Sequence, residues 1–263
     1  ATLRQGLNML DRKGAFTVPG TVDHVASVLR DPARIKAAKV MPYLLMATLR
    51  ALDAGVDPRL RDALHDAMEA SVSNVPVLQG QVAVCPDVSG SMSSPVTGFR
   101  KGATTAVRCI DVAALVAAAV LRKNPQAHVL PFEVGVRDVR LEARDTILTN
   151  AEKLAALGGG GTNCSAPLAA LNKAGAAPDL VIHAAALKHV PILERDWSEG
   201  VKTNIFGSVN VADAARAAGA TAMVMISTDK AIEPVSMLGL TKRFAEMYCQ
   251  ALDHDLMTQS EGK

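Results

Sequence analysis

Apolar positions in the first 75 residues recur at helical spacing. Asp57 followed by Pro58 signals a cap and a first turn, after which Leu60, Leu64, Ala67, Met68 and Val72 fall on one face. Leu44, Leu45, Thr48, Leu49 and Leu52 repeat the pattern between Pro42 and Asp53. At Gln81 the period shortens to Gln-Val-Ala-Val-Cys, a buried strand that runs into a loop at Pro86-Asp87. A helix is predicted over 107–122, a strand over 127–132 and an alternating edge strand over 136–141. Four glycines at 158–161 break the chain before a helix at 165–174, and Pro178 precedes a buried strand at 179–182. A long helix over 198–218 stops at Gly219, a strand follows over 222–226, and a helix over 236–253 carries Met237, Leu240, Phe244, Met247 and Ala251 on one stripe. Strands alternating with helices predict an α/β fold with a doubly wound, mainly parallel sheet and an extra helical segment at the N-terminal side.

Composition supports that picture. Of 263 residues, 49% are hydrophobic but only 3% aromatic, so the core is built from Ala, Val, Leu, Ile and Met, which suits helices packed on a parallel sheet. The formal charge is +2, from 28 basic and 26 acidic residues without a long single-sign run, so neither nucleic acid nor an anionic membrane is an expected partner. Cys85, Cys109, Cys164 and Cys249 form no CxxC pair or zinc-like cluster. With no leader-like N-terminus and no apolar run of about 18 residues, the expectation is a soluble, cytoplasmic protein with reduced thiols.

One constellation carries metal chemistry. Asp87-Val88-Ser89-Gly90-Ser91 follows a strand and precedes a long helix, which puts it at the carboxyl end of the sheet, where open α/β folds bind ligands. A carboxylate and two hydroxyls spaced two apart supply the hard oxygens that Mg²⁺ or Mn²⁺ prefer. Thr162, at the end of the glycine loop, is the second contributor. The alternative is that these side chains only cap the next helix.

At these residues a resemblance enters. VAVCPDVSGSMSSPVTG, VRCIDVAALVAAAVLRKNP and GGGGTNCSAPL resemble the von Willebrand A domain of Ro ribonucleoproteins, the TROVE group, over roughly residues 1–182. The resemblance implies a metal held by Asp87, Ser89, Ser91 and Thr162, to which an acidic group of a partner could add a ligand. It also implies an aspartate in a third loop, where this chain has Ala186. Losing that carboxylate predicts weak cation binding, partly compensated if Asp229 reaches the same rim.

From His183 the chain resembles a different family. HAAALKHVPILE, VKTNIFGSVNVADAA, MISTDKAIEP and LGLTKRFAEMY are similar to CapD-type nucleotide-sugar dehydratases of the extended short-chain dehydrogenases. The resemblance places Thr228, Asp229 and Lys230 at a catalytic Thr-Asp-Lys and Lys242 at the lysine of a YxxxK-like motif. Leu238 stands where family members carry Tyr or Met. No glycine-rich turn follows the first strand, so NAD(P) binding is not expected, and these four positions are read as vestigial.

Both parent folds are doubly wound, so the expectation is one composite domain with strand order 3-2-1-4-5 and helices on both faces. It divides into N-terminal helices at 1–78, a von Willebrand A-like half at 79–182 and a dehydrogenase-like half at 183–263. The change of family within one strand implies an engineered chimera that is not an enzyme and keeps at most a weakened divalent-metal site. The alternatives are a metal-dependent binding module of ribonucleoprotein type and an NAD(P)-dependent nucleotide-sugar dehydratase fragment.

Overall fold

The computed structural model describes residues 2–96, 107–176 and 178–261. The chain divides into two compact units, Ala1–Thr162 and Asn163–Lys263.

The first unit opens with six helices: α1 (Thr2–Gln5), α2 (Leu7–Arg12), α3 (Thr21–Arg30), α4 (Pro32–Ala37), α5 (Pro42–Ala51) and α6 (Pro58–Ser71). Aspartates start two of them. Asp31 accepts the N–H groups of Ala33 and Arg34, and Asp57 accepts that of Arg59 at 2.9 Å, each followed by a proline whose missing N–H costs the first turn nothing. The predicted face of α6 is buried: Leu60, Ala63, Leu64, Ala67 and Met68 lie against α3 and α5. Burial of each large side chain among them is worth about 1.5–3 kcal/mol. Two further helices, α7 (Cys109–Lys123) and α8 (Ile147–Ala155), pack against each other, and Ile147, Ala151 and Leu154 of α8 join the same core.

The sheet of this unit is smaller than the sequence predicts. Strand β1 (Ala83–Val84) pairs in parallel with β2 (His128–Val129). Hydrogen bonds extend the pairing on both sides, from His128 N–H to Val82 carbonyl at 2.8 Å as far as Val88 N–H to Phe132 carbonyl at 2.9 Å. Pro86 has no N–H to donate, which removes one rung of the ladder, although its carbonyl still accepts Phe132 N–H at 3.0 Å. The edge strand expected at 136–141 is reduced to an isolated bridge between Phe132 and Val136. The chain turns there, with Glu133 N–H bonded to Gly135 carbonyl and Arg137 N–H to Pro131 carbonyl.

The second unit contains α9 (Ala166–Lys173), β3 (Leu180–His183), α10 (Val190–Arg195), α11 (Trp197–Gly200), α12 (Gly207–Ala217), β4 (Ala222–Met225) and α13 (Met237–Glu261). A π-helical turn at Val201–Phe206 makes α11 and α12 one continuous helical run, matching the single helix expected there. β3 and β4 are parallel, in register from Leu180 opposite Ala222 to His183 opposite Met225, and α12 packs on them.

The α/β class holds, but the expected strand order does not form among the described residues, which pair two by two. No helix among them is long and apolar enough to cross a membrane.

Candidate functional site

The loop after β1 is shaped by its own polar groups. Asp87 bridges Phe132 across the strand pair, and its Oδ1 accepts the N–H of Ser89 at 2.8 Å. Ser89 is fully buried, and its hydroxyl lies 3.0 Å from that of Ser91, which is exposed. Asp87, Ser89 and Ser91 therefore gather on one turn, as the spacing predicts. The exit of the loop is clamped, since Cys109 N–H, at the start of α7, donates to Ser94 carbonyl at 2.9 Å. The end of the motif, Thr97-Gly98, lies outside the described residues.

The glycine loop meets this turn directly. Gly90 N–H donates to Gly160 carbonyl at 2.8 Å, and a Cβ on Gly90 would lie 2.9 Å from Gly159 oxygen, so a residue without a side chain is required for the approach. Thr162 follows two residues later with an exposed side chain. The donor set of carboxylate and hydroxyl oxygens fits a hard divalent cation. Among the described residues no group of three or more His, Cys, Asp or Glu side chains could hold a metal.

Sequence reasoning missed Glu133. Its Oε2 accepts Gly160 N–H at 2.7 Å, and Arg137 pairs with its other oxygen. The Gly160 hydrogen bond, then the Arg137 partner, holds the Glu133 carboxyl below the usual range. Gly160 thus links Glu133 on one side to the Asp87 turn on the other, and a Cβ at Gly160 would collide with the Glu133 carboxylate. A glutamate directly after the strand predicted at 127–132 was the available signal for its place on the rim, and nothing in the sequence pointed to Gly160 as its partner.

The dehydratase-like positions lie in the second unit. Thr228, Asp229 and Lys230 follow β4 in an exposed turn. Asp229 accepts hydrogen bonds from the Thr228 hydroxyl at 3.0 Å and from Lys230 Nζ at 3.2 Å. Lys242, on α13, is buried, and its Nζ donates to Ile226 carbonyl at 2.7 Å. Burial lowers its pKa, opposed by Glu246, whose carboxylate is bonded by the Ser227 hydroxyl. His183 is also buried, with Nε2 3.1 Å from Ser208 hydroxyl. Burial, then the charge of Lys242, depresses its pKa to about 4. Asn204, another residue not singled out from sequence, bonds both N–H and carbonyl of Leu187 and the Thr241 hydroxyl, fixing the loop after β3 to α13. Ala186, at the place of the third-loop aspartate, sits in that loop.

The structure thus sets a strand, a polar turn and a glycine loop together in one unit and a parallel strand pair, an exposed turn and a long helix in the other. Comparison with known proteins divides the chain in the same way. Residues 81–186 match the family model of the Ro60 vWA domain, and residues 168–261 match that of the polysaccharide biosynthesis protein family. The two matches overlap across β3, where the resemblance passes from one family to the other.

The Deinococcus radiodurans RO (RSR) protein shares the fold at a TM-score of 0.55 and 21% identity, over 75% of this chain and 43% of that one. Over 78 residues the chain is 49% identical to the capsular polysaccharide biosynthesis protein CapD of Staphylococcus aureus, covering 30% of this chain and 13% of that protein. Over 64 residues it is 53% identical to an inverting UDP-N-acetylglucosamine 4,6-dehydratase of Campylobacter jejuni, covering 24% and 19%. It therefore spans under a fifth of the length of these curated relatives.

These names overturn the expectation that the chain is not an enzyme. The relatives of its second half are named as dehydratases and, in Rickettsia canadensis, as a UDP-glucose 4-epimerase, so that segment resembles an enzyme family. The expectation rested on a missing glycine-rich turn after β1, a feature of the other segment.

Proposed function

We propose that the chain is a divalent-cation-binding module of von Willebrand A type, joined by recombination at β3 to a nucleotide-sugar dehydratase-type segment. The observation that carries the reading is the seating of Gly90 against Gly160, which sets the Thr162 loop beside the Asp87–Ser91 turn. Asp87, Ser89, Ser91 and Thr162 hold Mg²⁺ or Mn²⁺, with water completing an octahedral shell open to an acidic group of a partner. With one carboxylate, affinity is weak, since ligand charge sets much of the strength of a hard-cation site. Titration of the whole chain with Mn²⁺, read by water-proton relaxation, tests this. Saturable binding that Mg²⁺ displaces and Asp87→Ala weakens at least tenfold is expected; an unchanged isotherm in Asp87→Ala sinks it.

A second reading is favoured by the placing of Lys242 beneath the turn that carries Thr228-Asp229-Lys230, joined through Ile226 carbonyl. The second unit then recognises a uridine diphosphate sugar. Chemical-shift changes confined to residues 183–248 on adding such a sugar support it; uniform or absent changes count against it.

A further inference from the structure

The long helix α13 turns its larger apolar side chains outward. Leu238, Thr241, Lys242 and Ala245 recur at helical spacing on its buried face, and two of these four are polar. Leu240, Phe244 and Met247, from the apolar stripe read in the sequence, are 53–54% exposed. A helix ordinarily buries its apolar stripe and gives its polar face to water. In α13 the more apolar face meets water.

The neighbouring helical run through α12 extends the same surface. Phe206 is 57% exposed, and Lys202, Asn210 and Asp213 are exposed on its side of the run. Asp213 accepts the Tyr248 hydroxyl at 2.6 Å, which sets that side next to α13 at the level of Met247. Asn204 Nδ2 donates to Thr241 hydroxyl at 3.0 Å and joins the two helices on their buried side. Two phenylalanines, a leucine and a methionine thus share one surface, and an apolar patch of this kind marks an interaction site. The charges around it are settled within the chain. Lys202 pairs with Glu199 at 2.8 Å, Arg243 pairs with Glu246 at 3.0 Å, and Asp213 is held by Tyr248.

That rim selects the occupant. A two-fold axis sets each charge near its own kind, which repels where charges are unpaired and is tolerated where each already has a partner. A foreign protein steered by charge would find little here to read. The area also suffices. Four large side chains, each more than half exposed, offer about 500 Å² of apolar surface, close to what a patch of about 800 Å² per copy contains when about 65% of it is apolar. We infer that the chain forms a two-fold dimer in which Phe206, Leu240, Phe244 and Met247 of each copy pack against the same surface of the other.

Sedimentation equilibrium of the whole chain, from the micromolar to the millimolar range, reads the mass directly. The mass should rise from one copy to two and stop there. Phe244→Glu, Met247→Lys and, on the other helix, Phe206→Glu should each weaken the dimer at least tenfold, with an unchanged far-ultraviolet circular dichroism spectrum. Val77→Glu, at an exposed apolar position of the first unit, and Ile182→Glu, on the open face of β3, should leave the dimer as it is. If one of the three helix variants does not fold, the other two decide. A single copy at every concentration overturns the proposal and leaves the face to a different protein. Assembly beyond two copies, or a dimer lost in Ile182→Glu but kept in Phe244→Glu and Met247→Lys, overturns it as well.

Discussion

His183 has the clearest consequence at the scale of single residues. Its ring is buried between Ser208 and the ammonium of Lys242, and burial first and that charge second push its pKa from 6.5 to about 4. The folded state therefore disfavours the proton and the unfolded state accepts it. Stability from this group is fully present above pH 6.5 and is lost as pH falls towards 4, by up to about 1.4 kcal/mol for each pH unit crossed. Denaturant midpoints at pH 7.5 and 5 should show this loss, and His183→Gln, which cannot titrate, should flatten the difference. A slope unchanged in that variant places the titrating group elsewhere. Cys85 behaves oppositely to a reactive thiol, because burial pushes its pKa up to about 11. Alkylation at Cys85 should therefore run more slowly than in a denatured control. Labelling at comparable rates in the two states counts against that burial.

The structure of individual elements was partly legible in the sequence. The helix starts at Asp57-Pro58 and at Pro42, the stripe of α6 and the stop at Gly219 depend on contacts within one or two turns, so local pattern was enough. Strand length was not legible, because the donor missing at Pro86 shortens the ladder only through the partner strand it would have bonded. Of the candidate site, Asp87, Ser89 and Ser91 share one turn and could be read from spacing. Glu133 could not, since its acceptor role depends on Gly160, which is 27 positions away. Replacing Glu133 by Ala should lower stability and weaken Mn²⁺ binding, while Gln, which still accepts from Gly160 N–H, should restore most of the affinity. Equal loss in both variants means that charge matters and not the hydrogen bond. Gly239 is a similar case on α13. A Cβ there would collide with Lys230 carbonyl oxygen, so the first turn of the helix reaches the Thr228–Lys230 turn only through a glycine. Gly239→Ala should cost about 1–3 kcal/mol, as overpacking does, measured by urea unfolding. A neutral substitution would mean that the turn gives way freely.

At the scale of the whole molecule, the two units differ in how much core each contains. The connected buried cluster runs from Leu7 to Leu154 and lies wholly within Ala1–Thr162. Asn163–Lys263 buries a shorter set, among them Leu193, Val211, Ala212, Ala215, Leu238 and Ala245. One face of β3–β4 also leaves Leu180, Ile182, Val224 and Ile226 between 46 and 59% exposed. Strands of parallel sheets are ordinarily covered on both faces, so the second unit lacks apolar burial that its sequence was built to have. With separate cores, the units should unfold in separate steps, the second at lower denaturant, and truncating a buried leucine in either should cost about 2–5 kcal/mol in that step alone. Fluorescence of Trp197, which lies in the second unit, should follow the earlier step, and far-ultraviolet circular dichroism should follow both. Leu193→Ala should move the Trp197 transition only, and Leu64→Ala only the later one. A single transition shifted equally by both substitutions would show that the two cores fold as one cooperative body.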